Sequence, residues 1–270
     1  MLGAVTLLLA WRRGDPLPYL SQLPRGRRWA LLGAGLAGAA LNIAIFIAFQ
    51  RTTIALALIT FYTFPAMVTL AAIRLYGERL TGMRLAALFL SMSGLLLVVL
   101  APALETGELA LDMLGLALAL FAALCQAAFI LLSARGYAPF RSLHVATYVT
   151  GMAVVVSLVL LVGGVGGGVD SLAAAADPAT WPWILAGGLA GAALPTVALL
   201  AGMRLIGPTR TAILMTFEPV VGVALAGLLL GEQPGPLQLV GGAAVLIAAV
   251  VLQISSNAQP EAEEAEVRLV

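Results

Sequence analysis

The sequence has no lysine, a single cysteine and a single histidine, and only 10% of its 270 residues are charged. Cys125 on its own excludes a disulfide within the chain and any thiolate metal cluster, and His144 on its own leaves no histidine-based metal constellation. No ATP-binding loop or other energy-coupling segment is present. All 14 basic residues are arginine, and with the abundant alanine and glycine this reads as a coding bias, without functional content. What fills the sequence is apolar: 61% hydrophobic residues and a mean hydropathy of +1.05, more than a water-soluble domain of this length can bury. The composition predicts an all-α polytopic membrane protein, because only helices and closed barrels satisfy their backbone polar groups in lipid.

Spanning segments are predicted at Trp29 to Phe49, Thr53 to Leu75, Met83 to Leu100, Leu109 to Ser133, Val145 to Val165, Trp181 to Leu205, Thr209 to Leu230 and Leu237 to Ile254. Met1 to Trp11 is apolar but too short to span, and Arg12 and Arg13 follow it where a secretory signal would place its charges first. The next stretch, Arg12 to Arg28, holds Pro16, Pro18 and Pro24 and is read as a loop. Trp11, Trp29, Trp181 and Trp183 mark interfaces, and His144 sits at one as a solvated group. With this span order every arginine except Arg51 falls on one side, from Arg12 through Arg74, Arg135 and Arg204 to Arg268, while Glu105, Asp170 and Glu232 fall on the other. Positive residues stay inside, so those loops and the C-terminus are expected in the cytoplasm.

The central stretch is Thr211 to Glu232, TAILMTFEPVVGVALAGLLLGE. It carries one internal acid, Glu218, followed at once by Pro219, so the helix is expected to bend beside its only charge and to leave carbonyls near Leu214 and Met215 without partners. An ionisable group at bilayer depth costs from about 2.5 kcal/mol upward and is usually paired or functional. A second copy runs from Thr53 to Glu78. Adding 154 to Pro65, Gly77 and Glu78 gives Pro219, Gly231 and Glu232, and GLAGAAL at Gly35 to Leu41 recurs at Gly188 to Leu194, a shift of 153. The chain is an internal duplication. The copies are offset by an odd number of spans, which predicts two inverted repeats, the arrangement of secondary transporters. Leu109 to Ser133 has no partner in the first copy, so the arithmetic leads one to expect a further helix ahead of the given start.

These residues resemble the drug/metabolite transporter superfamily, and within it the EamA-type permeases of ten helices in two five-helix halves. The resemblance rests on GLAGAALNIAIFIAFQRTT, on ITFYTFPAMVTLAAIRLYGERLTGMRLAALFLSMSGLLLVVL and on MTFEPVVGVALAGLLLGEQPGPLQLVGGAAVLIAAVVL, with a repeated unit of proline, eleven mostly apolar residues and Gly-Glu. It implies a first repeat over residues 1–105, N-terminally truncated, and a second over 106–257; the acidic composition of residues 258–270 predicts a disordered cytoplasmic tail. It further implies a plasma-membrane permease, commonly an exporter, of small metabolites such as amino acids or drugs, with no cofactor and no nucleic-acid partner.

Two readings stay open for each polar residue in the spans. Glu218 is either a packing acid or a site for a substrate amine or a proton. Tyr62, Thr63 and Thr216, beside the two prolines, either line a cavity or bond to their own helix. Asn42 and Gln50 share one face with Phe46 between them, and the two side-chain amides serve either as glue between helices or as substrate contacts. Gln126, Phe129 and Ser133 form a polar and aromatic stripe, and Tyr148 stands near a helix start. Pro65, Pro195 and Pro219 are predicted kinks or gates, Pro195 aligning with Asn42. Gly187 with Gly191, and Gly222 with Ala226, are expected to let helices approach closely. A membrane-embedded enzyme acting on a lipid-like substrate would need clustered acids or histidines that the sequence lacks, and a non-transporting scaffold would not need a duplication.

The predicted topology is open to direct measurement. With Cys125 removed, single cysteines at Ser142 and Asp170 should be labelled by a membrane-impermeant thiol reagent from opposite sides; labelling of both from one side would overturn the arginine argument.

Overall fold

The structure is a computed structural model that describes residues 24–76, 81–107, 111–136, 142–163, 177–230 and 234–267. Every element in them is a helix: α1 Arg25–Arg51, α2 Ile54–Phe61, α3 Phe64–Tyr76, α4 Gly82–Thr106, α5 Met113–Gly136, α6 Ser142–Val162, α7 Trp181–Ala186, α8 Leu194–Ile206, α9 Pro208–Leu214, α10 Glu218–Leu230 and α11 Pro236–Val267. Five stretches among the described residues are long and apolar enough to cross a membrane: Arg25–Arg51, Ile54–Leu75, Gly82–Ala101, Met113–Ala134 and Pro178–Ile206. Large apolar side chains stand on the outside, Leu205 at 84% and Phe89 at 76% exposure, as they do where lipid and not water covers the surface.

The boundaries depart from the sequence reading in several places, the predicted spans Thr53 to Leu75 and Trp181 to Leu205 each being divided. Helix α1 begins at Arg25, inside the stretch expected as a loop, because Pro24 supplies the carbonyl that accepts from the Arg27 and Arg28 amides. The predicted span Thr209 to Leu230 is not one helix but α9, a 3₁₀ turn at Met215–Phe217 and α10. Helix α11 continues to Val267, past the predicted span end at Ile254; the Ala and Glu of that stretch are strong helix formers extending an existing helix. The Met1 to Trp11 fragment, both Gly-Glu pairs and Asp170 lie outside the described residues.

The chain divides into two units. The first comprises residues 1–43 and 128–208. In it α1 lies close on α6: a Cβ on Gly35 would stand 2.6 Å from the Met152 Cβ, so only glycine permits the approach. Gly38 of the same helix takes the ring of Phe129 of α5. Between α7 and α8 the chain widens into a π-helical segment, Gly187–Ala193, in which the Leu194 amide bonds back to the Leu189 carbonyl. Pro195 follows directly; its ring would crowd the carbonyl four residues back, and the wider turn relieves that contact. Gly187 and Gly191 have open space where a Cβ would be, so they are not the close-contact pair expected of them. Gly207, at φ 81°, turns the chain from α8 towards α9.

The second unit comprises residues 44–127 and 209–270. Its main packing is α4 against α11, which cross at Gly94 and Gly241. A Cβ on Gly94 would lie 2.6 Å from the Gly241 carbonyl oxygen, and one on Gly241 2.5 Å from the Gly94 carbonyl oxygen. Leu95, Val98 and Val245 are buried around the crossing. Nearby, Ala87, Leu88 and Ile213 join Ala66, Met92 and Val251 in a cluster that ties α9 to α4. Thr81 caps α4 by accepting from the Arg84 amide at 3.3 Å, and Asp112 caps α5 by accepting from the Gly115 amide at 2.8 Å. Gly222 of α10 has nothing within 4 Å of a built Cβ, again contrary to its expected role in close packing.

Gly241→Ala should therefore lower the thermal unfolding midpoint of the detergent-purified protein, with an overpacking cost of about 1–3 kcal/mol. Gly222→Ala should leave the midpoint unchanged or raise it, as the helix gains a better former. A Gly241→Ala protein as stable as the parent would contradict the crossing.

Candidate functional site

Both copies of the proline motif interrupt a helix in the second unit. At the first, α2 ends at Phe61 and α3 begins at Phe64, with the Thr63 amide bonding to the Thr60 carbonyl at 3.3 Å in the tighter register. At the second, Met215–Phe217 forms a 3₁₀ turn whose end, the Glu218 amide, bonds to the Met215 carbonyl. The Met215 carbonyl expected to be orphaned by Pro219 is therefore satisfied, because the tighter turn brings a different amide to it.

The two breaks meet through their side chains. The Tyr62 hydroxyl donates to Glu218 Oε2 at 3.2 Å, across 156 residues of sequence. Tyr62 is buried at 3% exposure, whereas Glu218 is exposed. The tyrosine ring is fixed within an aromatic group, its centroid 5.3 Å from Phe61 and 5.8 Å from Phe64, the latter fully buried. No ion pair to Glu218 occurs among the described residues. The arrangement is an exposed carboxylate, one oxygen of which is held by a rigid phenol.

The remaining predicted site residues are distributed between the units. In the second unit, the Thr63 hydroxyl donates to the Thr60 carbonyl at 2.7 Å and the Thr216 hydroxyl to the Ile213 carbonyl at 2.6 Å, so both bond to their own helix. Gln126, buried, directs its amide nitrogen at the Met215 sulfur, 3.7 Å away, which brings it beside the second break. Phe46 is 62% exposed and meets Phe49 edge-on at 6.2 Å, and Gln50 is exposed. In the first unit, the Asn42 amide donates to the Gly38 carbonyl of its own helix at 2.7 Å, Phe129 is buried against Gly38, and Tyr148 is half-buried. Pro195 lies just past the π-helical segment. Among these residues the structure brings together Tyr62 with Glu218, and Gln126 with the turn that carries Thr216. Ser133, fully buried, has a hydroxyl with no hydrogen-bond partner.

Beside the Tyr62–Glu218 contact lies a cleft of about 380 Å³. It is lined by Ile54, Ala55 and Leu58 of α2, Val98 and Val99 of α4, Pro219, Gly222 and Val223 of α10, then Pro234 and Gln238. Leu58 precedes Tyr62 by four residues and Gly222 follows Glu218 by four, so each lies one turn from the pair on the same helix face. The Gln238 amide is tied at both ends, its nitrogen donating to the Val98 carbonyl at 3.4 Å and its oxygen accepting from the Gly235 amide at 2.9 Å. Sequence reasoning missed this cleft, because its walls come from four helices. One signal was available: Gln238 is the lone amide near the start of an otherwise apolar span.

The sequence model of the EamA-like transporter family matches residues 1–100 and 113–254. No curated protein matches the chain. A solved crystal structure with 20% sequence identity superposes at a TM-score of 0.72, over 95% of this chain and 85% of that one, a likeness of fold. A match over nearly the whole chain, on apolar helices interrupted at two equivalent prolines, settles membership: this multi-pass membrane protein belongs to the EamA-like transporter family.

Proposed function

We propose that the protein is a secondary transporter, a permease that exports small metabolites such as amino acids or drugs across the plasma membrane. It works by alternating access between two inverted repeats of five helices, with the C-terminus in the cytoplasm. The observation that carries this reading is the Tyr62–Glu218 hydrogen bond, which joins the two proline breaks through the acid that precedes Pro219. Discontinuous helices that present polar groups within the bilayer are where transporters hold substrate and coupling ion. A regular helix is stiff, and the two breaks are where segments on either side can change angle. Glu218 supplies a charge that a substrate or a proton can neutralise, and Tyr62 holds its carboxylate in one orientation. The arginine asymmetry supports the orientation, and the family supports the chemistry of passage without conversion.

The test is counterflow in proteoliposomes against amino acids, sugars and cationic drugs, followed by variants on the substrate found. Glu218→Gln keeps shape and hydrogen bonding while deleting the titratable charge, and should reduce counterflow at least about tenfold, the equivalent of ~1.4 kcal/mol in transition-state stabilisation. A flattened pH profile in residual activity would identify a coupling proton. Pro219→Ala restores the missing backbone donor and should slow transport with insertion intact. Normal rates and an unchanged pH profile in Glu218→Gln would reduce the contact to a packing role, and no counterflow with any solute class would refute transport.

A further inference from the structure

We propose that the start of α1 is a docking surface for anionic phospholipid, whose headgroup meets the guanidinium groups of Arg25 and Arg28 while an acyl chain runs down the face of Trp29 and Leu36. Arg25, Arg27 and Arg28 all stand in the first turn of this helix, and no acid accompanies them there. The placement runs against the helix itself, because the positive end of its dipole favours anions and repels cations. Arg51, in the last turn, sits where the dipole favours a cation. Charge complementarity for the first turn therefore has to come from outside the helix.

The rest of the first unit does not supply it. Among its described residues the one acid is Asp177, whose carboxylate accepts from the Ala179 amide at 2.9 Å as the cap of a 3₁₀ turn. No ion pair to Arg25, Arg27 or Arg28 occurs among the described residues. The amides of Arg27 and Arg28 are already spent on the Pro24 carbonyl, at 3.0 and 3.1 Å, so the attraction for an anion lies in the side chains. A Cβ on Gly26 would meet nothing within 4 Å, which leaves the surface between the arginines open.

What lies below the arginines decides which anion fits. Helical spacing puts Arg25, Trp29 and Leu36 on one stripe, and all three are exposed, Trp29 at 66% and Leu36 at 57%. Arg28 flanks this stripe, while Ala30, Leu31 and Ala34 on the opposite side are buried. From Arg25 to Leu36 the helix rises about 16 Å, close to the depth of one leaflet in a hydrocarbon core of about 30 Å. Guanidinium, indole and leucine thus follow one another as headgroup, interface and chain do in a phospholipid. A zwitterionic headgroup carries its own cation beside the phosphate, whereas an anionic one leaves its charge to the arginines, whose planar forks pair with phosphate oxygens. The inference needs only that α1 spans the membrane, and it is independent of the transport reading.

The experiment reconstitutes the full chain in bilayers, with Trp11→Phe, Trp181→Phe and Trp183→Phe leaving Trp29 as the sole tryptophan. Bromine on an acyl chain lying against the indole quenches its fluorescence, and mixtures of brominated phosphatidylglycerol with unbrominated phosphatidylcholine give the relative affinity of this face for the two lipids. The expected result is a preference for phosphatidylglycerol of about threefold or more, weakened by added salt. Arg25→Gln combined with Arg28→Gln should bring the ratio to about one, Arg25→Lys combined with Arg28→Lys should retain a preference, and Arg51→Gln should leave it unchanged. Equal quenching by the two lipids in the protein with both arginines overturns the proposal, as does an undiminished preference in the double glutamine variant. Loss of the preference on adding soluble glycerol phosphate at matched concentration would mark a site for free phosphate and overturn the lipid assignment. A protein that counterflows a metabolite and shows no lipid preference loses this inference alone.

Discussion

In hydrocarbon no water is at hand for a free backbone group, and each proline inside a span creates a carbonyl without its donor. The structure answers this constraint by changing helix type locally. Before Pro219 the chain tightens to 3₁₀ and the Glu218 amide serves Met215; before Pro195 it loosens to π and the Leu194 amide serves Leu189. Around Pro65 the Thr63 amide and hydroxyl both turn to the Thr60 carbonyl, and Thr69 donates to the Pro65 carbonyl at 2.7 Å. The threonines of these spans are thus largely occupied by their own backbone, which leaves the phenol and the carboxylate as the groups free to meet each other.

Glycine serves two opposed purposes in the same fold. At Gly35, Gly94 and Gly241 the missing side chain lets helices touch through their backbones, and the Gly94–Gly241 crossing fixes α4 on α11. At Gly222 the missing side chain leaves room that nothing fills. Spacing in the sequence does not separate these cases, since Gly222 and Ala226 have the small-xxx-small pattern that helix pairs use. What separates them is which helix lies opposite, and that is a tertiary fact.

The same limit decides how much is legible in the letters alone. Helical class and most span positions follow from apolar runs, because lipid leaves the backbone no alternative. The duplication is written in the residues themselves, and the prolines mark where the breaks fall. They do not mark the sense of each break: tightening, loosening and interruption all begin from one residue type, and the choice depends on neighbours such as the glycines of Gly187–Ala193. Of the polar residues singled out, Asn42, Thr63 and Thr216 resolve into bonds within their own helices. The Tyr62–Glu218 contact is compatible with the two motifs without following from them, since a duplication aligns positions without saying that they touch.

The duplication also accounts for why the contact is chemically unequal. A shift of 154 places Tyr62 on Thr216 and Phe64 on Glu218. Had both copies kept the acid, two carboxylates at facing breaks would repel in a medium of low dielectric; had both kept the aromatic, no charge would remain. The pair that exists takes the donor from one copy and the acceptor from the other, at positions offset by two residues within the motif. The offset lets one break present a buried ring and the other an exposed carboxylate, although both were built from the same unit. The donor and the acceptor of the contact therefore stand at non-equivalent positions of the two motifs.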